Sequence, residues 1–238
     1  MASGDDTLKM PTHERISSLA ISQAKARQLQ ADGHAGAELG QRNSVPLIEA
    51  QEIIAQWPAA PQKVGEKLLD HYGPPNEATP TKLFWYRTGP WARMELTADE
   101  VLHNFPTPHT DFLTQYVDYP IRSERAADAV MFDGSVIIDR TAGQVGARCD
   151  HEAYNILTIN LVVEIMEGRR TVEDARHLYG ETASAYVMGR DAPYAERLLF
   201  APPTGETADP DESIIAEGMI DQAKEKVKDI FGAGETPQ

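Results

Sequence analysis

The chain has a single cysteine, Cys149, in 238 residues. An internal disulfide framework is therefore excluded, and a reducing compartment, the cytoplasm, is expected. Long apolar runs are missing too. Runs such as Ala129-Val130-Met131-Phe132 and Leu161-Val162-Val163 are closed by Asp133 and Glu164, far short of the roughly 20 apolar residues that cross a bilayer as a helix. Residues Met1 to Asp6 carry neither the cationic start nor the apolar stretch of a secretory signal, so export by that route is not expected. Basic residues are few: 22 Lys+Arg against 37 Asp+Glu give a net charge of 22 − 37 = −15 with His neutral. Such a chain repels nucleic acid and anionic membranes unless a local basic patch outweighs the total, and no such patch is visible. Glycine-rich phosphate loops, a Gly-x-Ser-x-Gly elbow and a His-Glu-x-x-His pair are all absent, which removes the usual support for nucleotide chemistry and the common hydrolases.

What is present is enough for a packed core. Hydrophobic residues make up 41% of the chain, and all three Trp, all eight Tyr and five of the six Phe lie between 46 and 200. The core domain is therefore placed at 46–200. Residues 1–45 read as a helical or frayed arm, in which Ile16, Leu19, Ala20 and Ala24 make only a thin stripe. The turn-rich Ala201-Pro202-Pro203-Thr204-Gly205 opens a linker over 201–213. An amphipathic helix follows at 214–232, with Ala216, Ile220, Ala223, Val227 and Ile230 at heptad-like spacing, and 233–238 form a disordered tail.

Inside the core the pattern reads α+β. Ser44 as N-cap and Pro46 begin one helix, and Pro61 to Gly73 make a second, giving a helical hairpin. Leu83 to Arg87 and Trp91 to Leu96 flank Thr88-Gly89-Pro90 as a β-hairpin, residues 112–119 alternate as a strand, and 136–138 with 144–148 form another hairpin. Ser123 caps a short helix between them. The segment 151–167 is apolar on two sides, so it is a buried central helix with Asp150 as N-cap, and Thr171 with Asp174 resembles a capping box for the next. The expectation is an antiparallel sheet built from hairpins, with a helical hairpin before it and two packed helices after it.

The motifs Tyr72-Gly73-Pro74-Pro75-Asn76-Glu77-Ala78-Thr79, Trp85-Tyr86, Gly89-Pro90-Trp91 and His103-Asn104-Phe105-Pro106 resemble a family of uncharacterised bacterial proteins over residues 45–190. The resemblance brings no activity and no functional residue with it.

Three places hold chemistry-bearing side chains. His103, His109 and Asp111 lie on a Pro-stiffened loop and are donor types that a divalent transition metal accepts, while a turn-rich surface loop with histidines capping carbonyls is the plainer reading. Arg148-Cys149-Asp150-His151-Glu152 sits where a strand hands over to the central helix. There a thiolate is electrostatically favoured, while a packed cysteine before a helix cap is the plainer reading. Trp85 and Trp91, with Arg87 and Arg93, form an aromatic hairpin that faces either the core or a partner. Two functions follow. The first is a non-enzymatic binding or assembly protein, which engages a second copy or a protein partner through Ile220, Val227 and Ile230 of the C-terminal helix and through the aromatic hairpin. The second is a metal-dependent enzyme using His103, His109 and Asp111, with His151 as general base.

Overall fold

A computed structural model describes residues 8–34 and 43–215. The chain divides into two compact units, residues 36–210 and a unit drawn from both ends, 1–35 with 211–238. Of the end unit, helix α1 (Thr12–Ala31) is described and has no buried residue, as its thin stripe led us to expect. Ile220, Val227 and Ile230, and the C-terminal helix they define, lie outside the described residues.

In the unit 36–210, helices α2 (Leu47–Ile54) and α3 (Ala59–Tyr72) precede strands β1 (Glu77–Thr79), β2 (Lys82–Thr88), β3 (Trp91–His103) and β4 (His109–Asp118). A 3₁₀ turn (Ser123–Arg125) and α4 (Ala126–Phe132) lead to β5 (Val136–Asp139) and β6 (Gln144–Cys149), followed by α5 (Glu152–Met166), α6 (Val172–Val187) and the single turn α7 (Pro193–Glu196). The six strands form one antiparallel sheet in the order β1-β2-β3-β4-β6-β5. The fold class is α+β, with helices before and after the sheet. Among the described residues no helix is long and apolar enough to cross a membrane.

Strand alternation gives the sheet two faces. Leu83 pairs Leu96, Leu96 pairs Leu113 and Leu113 pairs Cys149 across four strands, so these side chains share one face, and all are buried. α3 packs on β3, and α5 packs on β4 and β6. Helix α5 is buried nearly all round, the mark of a central helix. The opposite face carries Phe84 stacked on Tyr86 with ring centroids 6.5 Å apart, and Arg93 lies 3.8 Å over the Tyr116 ring.

Several boundaries differ from the sequence reading, each for a local reason. Gly73 ends α3 at φ 79, and the Thr171 hydroxyl accepts from the Asp174 N–H as the capping box requires. The N-caps of α2 and α5, however, are Pro46 and His151 without side-chain bonds. Asp150 does not cap α5, because its carboxylate is engaged by His151 Nδ1 at 2.9 Å. The segment 201–213 is not a free linker either. The Thr207 hydroxyl donates to the Gly143 carbonyl (2.9 Å), the Asp209 N–H to the Arg140 carbonyl (3.1 Å), and Arg140 pairs with Asp209 at 2.9 Å. Residues 206–209 thus strap the β5–β6 turn. Gly143 is at φ +65, and a Cβ there would meet the Thr207 carbonyl at 2.2 Å, so only glycine admits the strap.

This contact revises the boundaries of the folding unit. A fragment 43–210 is expected to melt cooperatively, whereas a fragment 46–200, which lacks the strap, should melt several degrees lower in circular dichroism. Equal midpoints would show that the strap contributes nothing to stability.

A second expectation concerns Glu164 of α5. Burial alone would raise its carboxyl, but bonds from Arg170 and the Tyr194 hydroxyl outweigh burial and hold it below the ordinary glutamate value. Because the folded-state value is depressed, the group stabilises the fold above its unfolded pKa of about 4.3, and that contribution fades as pH falls through the folded value. Glu164→Gln should therefore lower the melting temperature at pH 7 and converge on the parent below about pH 4. A gap that stays constant with pH would remove the carboxylate from the account.

Candidate metal centre

The β3–β4 hairpin builds the site. His103 is the last residue of β3, His109 the first of β4, and they are direct partners in the register. The two imidazoles therefore stand on strand ends rather than on the loop itself. Asp111 follows two positions along β4, on the same face as His109 by alternation. The connecting loop is anchored by Phe105, whose ring lies 4.9 Å from the Tyr179 ring and 6.1 Å from Phe132, with the Arg176 guanidinium 3.9 Å above it.

These elements bring three donors together. One ligand atom each from His103, His109 and Asp111 lie within 4.8 Å of one another. His103 Nδ1 is 3.4 Å from Asp111 Oδ2, and His109 Nε2 is 3.1 Å from the other oxygen, Oδ1. Ligands of a tetrahedral ion at metal–ligand distances near 2.0–2.1 Å are about 3.3 Å apart, so each His–Asp separation is of that size, and the three donors would draw closer around an ion.

The far nitrogen of each ring is also engaged. His109 Nδ1 lies 2.8 Å from the Thr107 carbonyl oxygen, which makes Nδ1 the N–H donor and leaves the Nε2 lone pair turned inward. His103 Nε2 lies 3.4 Å from Asp133 Oδ1, and that carboxylate is itself held by the Ser135 N–H and the Thr158 hydroxyl. Imidazoles that bind metals are oriented in this way, by a carbonyl or a carboxylate on the outer nitrogen. On the inner side, His103 Nδ1 and Asp111 Oδ1 are buried without a hydrogen-bond partner.

Asp111 has a side-chain exposure of 3%. Burial raises its carboxyl above the usual value, against the pull of His103, His109 and Arg148. A cation between the donors would offset that desolvation. Arg148 Nε stands 3.9 Å from Asp111 Oδ2, too far to satisfy it.

The second sequence cluster joins the first. Cys149 ends β6, and its Sγ lies 3.4 Å from His109 Nε2 and 3.4 Å from Asp150 Oδ1. A cavity of about 110 Å³ opens beside them, lined by residues including Thr107, His109, Cys149, Asp150, Tyr154 and Tyr179. His151 is not one of the three clustered donors. Its ring is half exposed and meets Asp150 and Tyr154, so no general-base role at the cluster is supported by its position.

The aromatic hairpin resolves toward packing. Trp85 and Trp91 are each 1% exposed, and their indole N–H groups donate to the Gly73 carbonyl and to Glu152, so neither ring is available to a partner. Arg87 pairs with Asp118, and Arg93 lies over the Tyr116 ring with Asp139 3.9 Å away, so both cations have neighbours on the sheet.

Asp133 is the residue the sequence pattern did not single out. No local signal connects it to His103, because the two meet only through the chain path that brings α4 to the end of the β3–β4 hairpin.

Burial pushes the Cys149 thiol well above its ordinary value, and the Asp150 and Asp111 carboxylates push it further. The sulfur is therefore a protonated thiol at neutral pH, and the thiol form is not the nucleophile. Iodoacetamide should leave Cys149 unmodified in the native protein and alkylate it fully in denaturant, as read by intact mass. Rapid native alkylation would show that the thiol is ionised and accessible.

No family model, no curated protein and no solved structure matches this chain.

Proposed function

We propose that the protein binds one divalent transition metal ion through His103 Nδ1, His109 Nε2 and Asp111 and uses it in catalysis. The observation that carries this reading is the orientation of the two imidazoles. Each has its outer nitrogen engaged, by Thr107 or by Asp133, and turns its inner nitrogen toward a carboxylate that is buried and incompletely bonded. Two histidines and one carboxylate suit Zn²⁺ or Fe²⁺, and three protein ligands leave coordination positions for water or substrate, the pattern of catalytic rather than structural sites. An ion so held would polarise a substrate oxygen or lower the pKa of bound water. The aromatic-hairpin part of a binding or assembly role loses support, since Trp85 and Trp91 are core residues; Ile220, Val227 and Ile230 lie outside the described residues.

Elemental analysis of protein purified without an affinity tag is expected to find about one equivalent of a transition metal. His109→Ala and Asp111→Ala should bring that to background with an unchanged circular dichroism spectrum, and Asp133→Asn should weaken affinity about 10–100-fold, as loss of an outer-shell carboxylate does. Protein that is metal-free as isolated and takes up none of Zn²⁺, Fe²⁺ or Co²⁺ when they are offered would sink the proposal.

A further inference from the structure

The cavity beside His109 has a chemical character of its own. Its walls include the Thr107, Cys149 and Asp150 side of the site and the rings of Tyr154 and Tyr179, and neither Lys nor Arg lines it. The charged carboxyl on its wall is Asp150, whose Oδ1 lies 2.9 Å from His151 Nδ1; burial would raise that carboxyl, and the bond from His151 outweighs burial and lowers it. Arg148, the cation next in sequence, is directed to Asp111 instead. A phosphate or carboxylate entering this space would meet the Asp150 carboxylate and neither Lys nor Arg, and against the two charges of a divalent ion at the donor set stand the carboxylates of Asp111, Asp133 and Asp150. An ammonium group finds the opposite: a carboxylate to hydrogen-bond and two phenol rings close by, whose faces attract cations. The volume of about 110 Å³ equals the share of only three or four waters in liquid, so it accepts a headgroup rather than a whole extended molecule. His109 is common to the cavity wall and to the donor set.

We infer that this cavity receives the primary ammonium group of a small amine substrate, held by Asp150 and the Tyr154 ring and placed next to the metal. The inference rests on the metal reading for the adjacency and on the cavity alone for the choice of ligand. The net charge of −15 favours approach of such a cation over long range.

The test uses the full chain loaded with Co²⁺, with the Zn²⁺ form as diamagnetic control, and ethylammonium, acetate and inorganic phosphate as separate probes in ligand-observed NMR. Ethylammonium should show saturation transfer in both forms and paramagnetic shift or broadening of its methylene protons in the cobalt form alone. Acetate and phosphate should show neither. Asp150→Asn should weaken the ethylammonium signal about tenfold or more, as loss of a charge-assisted bond does, and Tyr154→Ala should weaken it as well. Both variants are compared with the parent by thermal melt, so that a folding defect is recognised.

Binding of acetate or phosphate in place of ethylammonium, or an ethylammonium signal unchanged in Asp150→Asn, would overturn the ligand class. Ethylammonium that binds without any paramagnetic effect on a protein shown to hold cobalt would overturn the adjacency. If no cobalt is taken up, it is the metal reading that fails, and the saturation-transfer arms still decide the ligand class.

Discussion

One carboxylate oxygen ties the layers of this protein together. Glu152 Oε1 accepts hydrogen bonds from the Tyr72 hydroxyl (2.7 Å), the Trp91 indole (2.6 Å) and the Gln115 amide (2.9 Å). The donors come from the end of α3, the start of β3 and the middle of β4, so the helical hairpin and the sheet are referenced to the first residue of α5. Its position in the first turn also sets a negative charge at the positive end of the helix. Each of the three donors would cost about 1–3 kcal/mol if left buried and unpaired. The Tyr72 hydroxyl is correspondingly hard to ionise, chiefly through burial and then through the bond to Glu152.

The polar contacts continue along the same helix. Glu152, Asn155 and Thr158 recur at intervals of three and so share a face of α5. Asn155 donates to the Leu113 carbonyl and to Gln115 Oε1, and Thr158 donates to Asp133 Oδ2. An otherwise apolar helix thus carries a row of directional bonds, which fix its rotation and axial position where apolar packing alone tolerates repacking. Asp133, oriented at the end of that row, is the carboxylate facing His103. The geometry of the donor set is in this sense an extension of core packing.

Many local signals in the sequence were reliable, though the N-caps read at Ser44 and Asp150 were not, and pairings distant along the chain were hidden. Gly73 closing α3, the Thr171–Asp174 box and the alternation in β4 are each set within a few residues, and each was legible. The buried character of α5 was legible as well, because two apolar stripes leave it no solvent side. Glu152 has no signal of its tie to the sheet, since nothing in sequence reveals that Tyr72 and Trp91 reach it. The donor triad was legible as a set of residue types, while its union with Cys149 depends on the pairing of β4 with β6, which the intervening α4 and β5 conceal. The strap at 206–209 was read as linker because its Pro- and Gly-rich surroundings signal irregular backbone, and irregular backbone can still be bonded.

The location of the site follows from these constraints. Antiparallel pairing matches His103 with His109 at the end of the hairpin, where the ladder stops and side chains turn to one another without a further strand pair to accommodate. Alternation then sets Asp111 on the face that α5 covers, which buries its carboxylate at a desolvation cost that an apolar residue would not incur. The sheet could be completed with leucine at that position, as it is at Leu113 two residues on. Two imidazoles with their outer nitrogens engaged convert the cost into a charge-matched centre once a cation is present. The buried carboxylate and the oriented rings are thus one arrangement, whose local desolvation cost a cation of the kind proposed would offset.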